Sequence, residues 1–82
     1  MSREQLLNEI KEFICDFFED EALDITDDTT ASDVDGWDSL SHLSLINEIE
    51  SEYDIRFTLA EVQGFKNVGE LVDALLEHIN QG

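Results

Sequence analysis

Three runs of apolar residues at helical spacing leave this chain few ways to fold. Leu6, Leu7, Ile10, Phe13, Ile14, Phe17 and Phe18 form the first run. Leu40, Leu43, Ile46, Ile49 and Tyr53 form the second, with Leu45 beside it. Val68, Leu71, Val72, Leu75, Leu76 and Ile79 form the third. Each lays an apolar stripe along one face of a helix. Ser2 with Gln5 and Thr58 with Glu61 read as capping boxes, and Asn67 with Glu70 caps the last helix. The second box opens a short helix over Leu59 to Gln63 that Gly64 ends. Ile55 and Phe57 alternate around Arg56, but with nothing to pair against they read as extended loop. Three main helices and one short one can bury their stripes only against one another. The pattern predicts an all-α fold, a small four-helix bundle with a long first loop. Eighty-two residues suffice for one domain, 1–82, with one modest core.

Charge narrows the partners. Four Lys and Arg face 21 Asp and Glu, a formal charge of −17. That field repels phosphate backbones and anionic lipid, which excludes nucleic acid and membrane surfaces and favours basic patches on other proteins. Seven aromatic residues and a hydrophobic content of 41% argue for a folded core despite the charge. No apolar run reaches the ~20 residues of a membrane span, and no signal-peptide pattern opens the chain. The lone Cys15 allows no internal disulfide or metal cage, in keeping with a reducing, cytoplasmic setting. Its spacing puts it at the rim of the first apolar face, a packing role and not a reactive one. His78 lies near the end of the last helix, where a cation is favoured, and reads as structural. Between Lys11 and Arg56 there is no Lys or Arg. Glu48, Glu50, Glu52 and Asp54 therefore give the second helix an unpaired acidic side, which suits a partner-facing surface.

The periodicity stops from Glu19 to Trp37. Leu23, Ile25 and Val34 interrupt this acidic stretch and predict a loop pinned to the core, not a free linker. A calcium loop would place Asp33, Asp35 and Gly36 at its third, fifth and sixth positions. Ala31 would then stand first and His42 twelfth, so both anchoring ligands are missing and no metal site is expected. The stretch closes on Gly36-Trp37-Asp38-Ser39-Leu40. Gly supplies a turn, and Asp or Ser serves the free N–H groups of a first helical turn. Ser39 and His42, three apart on one helix, suggest a nucleophile and its base. The sequence offers no oxyanion site, no nucleophile elbow and little volume for a water-excluding pocket, so an enzyme is not expected.

On Asp38-Ser39-Leu40, followed by Leu43, Ile46, Ile49, Glu50 and Tyr53, the chain resembles the acyl carrier proteins, over nearly its whole length. The resemblance implies helices one, two and four in a bundle with a short transverse third helix. It implies that Ser39 bears a covalent 4′-phosphopantetheine arm, whose thiol holds an acyl group as a thioester. Partners would be a phosphopantetheinyl transferase and acyl ligase or synthase enzymes with basic docking patches, meeting a monomer. Asp38, Leu40, Glu48 and Glu50 are the partner-binding positions so implied. Ser41 and Ser44 stand where carriers of housekeeping fatty-acid synthesis tend to have acidic residues. Asn47 replaces a hydrophobic contact residue, and Trp37 also departs from the housekeeping pattern. These departures imply a dedicated carrier, non-catalytic itself. The alternative is an acidic helical interaction module without a covalent cofactor.

Overall fold

A computed structural model describes residues 2–81. Four helices follow one another: α1 (Arg3–Phe17), α2 (Ser39–Tyr53), α3 (Leu59–Gly64) and α4 (Val68–Gln81). A 3₁₀ turn at Ala31–Asp33 interrupts the long loop, and no strand occurs among the described residues. The all-α four-helix bundle and its long first loop are as the apolar spacing predicts.

The stripes meet in one core. α1 contributes Leu6, Ile10 and Ile14, α2 Leu45, Ile46 and Ile49, and α4 Val68, Leu71, Val72 and Leu75. Val62 is the buried residue of α3, and Phe57 seals the connection before it. Full burial of a side chain of this size contributes about 1.5–3 kcal/mol relative to exposure. A six-residue helix with one buried side chain is therefore the most weakly held of the four.

Helix starts are satisfied locally. Ser2 Oγ accepts from the Gln5 N–H at 3.2 Å while the Ser2 N–H donates to Gln5 Oε1 at 3.1 Å. Thr58 and Glu61 repeat the exchange at 3.1 and 2.9 Å. At α4, Asn67 Oδ1 accepts from the Glu70 N–H at 2.9 Å. The Glu70 carboxylate reaches one residue further out, to the Lys66 N–H at 2.8 Å. α2 ends where Asp54 turns left-handed at φ 53°.

The long loop is seated on the first turn of α4. Thr29 and Asp27 carbonyls accept from the Val68 and Gly69 N–H groups, both at 2.9 Å. Gly69 is needed for that approach, because a Cβ there would lie 3.0 Å from the Asp27 carbonyl oxygen. Arg3 completes the seat from α1. Its guanidinium donates to Asp27 Oδ1 at 2.7 Å, Asp73 Oδ1 at 2.6 Å and the Gly69 carbonyl at 3.3 Å. Ile25 and Val34 are buried beneath the loop, as expected, and Leu23 is half-buried.

Two details differ from the sequence pattern. Leu40 and Leu43 begin the stripe of α2, yet they are 77% and 49% exposed, while Leu45 is fully buried. Leu43 borders two open grooves, both shared with α3, and Leu40 points outward, so neither is covered by a long helix. Gly64 is the last residue of α3 and not the residue beyond it. Its φ is not positive, and the chain leaves the helix through an extended Phe65 at φ −69° and ψ 111°.

Candidate functional site

The site is the mouth of α2. Gly36 takes φ 87°, a conformation in which side-chain-bearing residues are strained, and turns the chain towards the helix. Asp38 then adopts an extended backbone, and its Oδ1 accepts from the Ser41 N–H at 2.9 Å. Asp38 is therefore the cap of α2, which frees Ser39 from that task. Ser39 occupies the first helical position and is exposed. The Asp38 carboxyl is held below the usual carboxylate range, chiefly by the Ser41 N–H, with the Leu40 N–H also contributing. It stays ionised beside the Ser39 hydroxyl through the neutral range.

Behind Ser39 stands a hydrogen-bonded relay. Trp37 Nε1–H donates to His42 Nδ1 at 3.1 Å, and His42 Nε2 lies 3.0 Å from the Val62 carbonyl. An indole nitrogen only donates and a carbonyl only accepts, so His42 is the neutral tautomer with its proton on Nε2. Both ring nitrogens are committed, and neither is free to take a proton from Ser39. The Trp37 ring also packs 5.6 Å from Phe18 and 6.1 Å from the His42 ring, centre to centre. This relay ties the end of α1, the loop, α2 and α3 together. The spacing of Trp37 and His42 across a capped helix start was its only signal in the sequence.

A cleft of about 490 Å³ opens between this relay and α3. Ser39 and Asp38 lie at its rim, and Leu43, Val62, Gln63 and Phe65 help to form its walls. Leu40 projects outward next to Ser39. Glu48 is exposed further along α2, whereas Glu50 is half-buried and its Oε2 accepts from the Phe57 N–H at 2.7 Å. The structure thus brings Asp38, Ser39 and Leu40 together, and turns the Glu50 carboxylate towards the connection before α3.

Two further side chains hold the surroundings in place. His78 Nε2 sits 3.0 Å from Glu61 Oε1, linking α4 to α3. The Glu61 carboxyl is held low, first by the Thr58 N–H and then by His78. Cys15 is half-buried, and its thiol is pushed up by burial and then by the charge of Asp20. No group of three or more His, Cys, Asp or Glu is placed to share a metal ion among the described residues. No helix among them is long and apolar enough to cross a membrane.

Comparison with known proteins points to one family. Residues 8–75 match the family model of the phosphopantetheine attachment site. The acyl carrier protein of Clostridium perfringens is 33% identical over 73 residues, spanning 89% of this chain and 96% of that protein. The acyl carrier protein of Lactobacillus acidophilus is 33% identical over 79 residues, spanning 95% and 98%. The solution NMR structure of the holo acyl carrier protein from Geobacter metallireducens matches the fold with a TM-score of 0.86 at 39% identity. That match covers 92% of this chain and 86% of the other. With the attachment-site match over most of its length and the same bundle at substantial identity, the chain belongs to the acyl carrier protein family.

Proposed function

We propose that this chain carries acyl groups on 4′-phosphopantetheine joined to Ser39 and delivers them to enzymes of a dedicated pathway, as their substrate and not as a catalyst. The observation that supports this most is the exposed Ser39 at the first position of α2, with Asp38 doing the capping. The residues present suit the group. Ser39 offers an accessible hydroxyl, the open first turn of a helix favours an anionic phosphodiester, and the adjacent cleft offers apolar walls. When bound, the group supplies the thiol on which cargo is held as a thioester.

The chain's own residues position and recognise. Asp38 holds the first turn of α2, and the Trp37–His42–Val62 relay keeps α3 beside it. Because His42 has no free ring nitrogen, deprotonation of Ser39 falls to the attaching enzyme, a phosphopantetheinyl transferase. Asp38, Leu40 and Glu48 form an exposed face of charge around one apolar anchor, suited to basic docking patches on ligases and synthases. Glu50 carries its charge beside the connection before α3, where its carboxylate accepts from the Phe57 N–H. Ser44 and Asn47 are exposed on the same helix, where a partner reads them in place of the residues of housekeeping carriers. The charge of −17 opposes self-association, in keeping with a cytoplasmic monomer of one domain.

Intact mass after co-expression with a broad-specificity phosphopantetheinyl transferase is the test. The wild-type chain gains the mass of the arm, and Ser39→Ala does not. An unmodified wild type, or an arm that survives Ser39→Ala, overturns the assignment; the former leaves an acidic interaction module as the reading.

A further inference from the structure

Among the described residues, the exposed large apolar side chains are Leu40, Leu43 and Leu59. Leu59 opens α3 at 68% exposure, and Thr58 does the capping there, so Leu59 serves neither the core nor the helix start. A single exposed leucine is ordinary. This one lines a groove of about 370 Å³ together with Leu43 and the buried Ile46, Phe57 and Val62. The groove shares only Leu43 and Val62 with the Ser39 cleft, and neither Ser39 nor Trp37 borders it.

Arg56 lines the same groove and is exposed. It is the one Lys or Arg between Lys11 and Lys66. The ion pairs among the described residues are made by Arg3 and His78, and Arg56 makes none. Glu50 and Asp54 share a second groove with it, yet the Glu50 Oε2 is given to the Phe57 N–H at 2.7 Å. A guanidinium left open in such acidic surroundings keeps its donors for a carboxylate from outside, which it can hold through two parallel N–H bonds. A partner whose basic patch runs unbroken along α2 meets repulsion at Arg56. A partner that turns acidic at that point does not.

We propose that the groove between α2 and α3 docks an apolar side chain of the partner enzyme with an Asp or Glu beside it, and that Arg56 selects the partner by reading that carboxylate. Leu43 and Leu59 flank the apolar side chain, while the partner's basic residues keep to Asp38 and Glu48. That the partner is an acyl-handling enzyme rests on the carrier role proposed above. The chemistry of the groove does not involve Ser39.

The test titrates the chain with three short blocked peptides in ~0.15 M NaCl, each a pair of leucines followed by Glu, Gln or Lys. NMR follows the Leu43 and Leu59 methyl resonances and the Arg56 Nε–H resonance. None of these reports on the arm, so a chain that fails to take it leaves this test standing. The Glu peptide is expected to move all three resonances and to bind about two- to fivefold more tightly than the Gln peptide, the worth of an exposed ion pair. Arg56→Gln should abolish that preference, and Arg56→Glu should transfer it to the Lys peptide. Leu59→Ala should weaken the Glu and Gln peptides alike. Both positions are exposed, and an unchanged thermal midpoint checks that the variants keep the fold. Equal binding of the Glu and Gln peptides to the wild type overturns the proposal, as does a preference that survives Arg56→Gln. Tighter binding of the Lys peptide in the wild-type groove means a uniformly basic partner, and overturns it too.

Discussion

Asp38 separates two tasks that one side chain performs at once. Its oxygen caps α2, and its charge stands beside Ser39. Asn caps as well as Asp but carries no charge. Asp38→Asn should therefore keep the wild-type midpoint at neutral pH while slowing acyl transfer by a cognate enzyme, and Asp38→Ala should lower the midpoint as well. The sign of the pH dependence follows from the depressed folded value. The contribution is complete above the ordinary Asp value of about 3.9 and fades as pH falls below it. Melts of Asp38→Ala and wild type should differ at pH 7 and converge in strong acid. At this scale the sequence was partly legible. Asp38 and Ser39 both announced a helix start, and only the geometry shows that Asp38 caps. Glu50 looked like another surface acid because the 2.7 Å bond to the Phe57 N–H depends on how the chain folds back after α2.

Elements carry a different set of consequences. Spacing marked all three long helices, since a stripe of core residues is a local signal. It misjudged the first turns of α2, because which part of a stripe another helix covers is a tertiary matter. The seat of the long loop on α4 left only Gly69 as a trace in the chain. Gly69→Ala drives a methyl to 3.0 Å from the Asp27 carbonyl oxygen. It should destabilise the protein by about 1–3 kcal/mol, the usual range for overpacking, measured by urea denaturation. The exposed side of α2 makes a separate prediction. Glu48→Lys should slow transfer by a cognate enzyme through its association rate, and the slowing should shrink as salt is added. An effect confined to turnover at saturation would argue against steering.

Across the whole molecule, like charge opposes burial. With 21 acids against four Lys and Arg, the folded state concentrates repulsion that the unfolded chain can spread out. The thermal midpoint should rise from low ionic strength to ~0.15 M NaCl, and rise again with millimolar Mg²⁺. A flat response would mean that burial alone decides stability. Acid acts in two stages. Lowering the pH from 7 towards about 5 trims the net negative charge and should ease that repulsion. Asp27, Asp38 and Glu61 are all held below their ordinary values by hydrogen bonds, so their contributions are intact in that range. Below about 4 they are lost in turn, and the midpoint should fall.

The Arg3 clasp also sets an order of assembly. Its partners Asp27 and Asp73 lie 24 and 70 positions downstream. A nascent chain lengthens by about 5–20 residues each second, so the first partner is made seconds before the second. Until Gly69 and Asp73 leave the ribosome, the loop leading to Ser39 has no seat, although α2 is already complete. An attaching enzyme that reads the shape of this region would therefore pass over unfinished copies and act on chains whose two ends have already met.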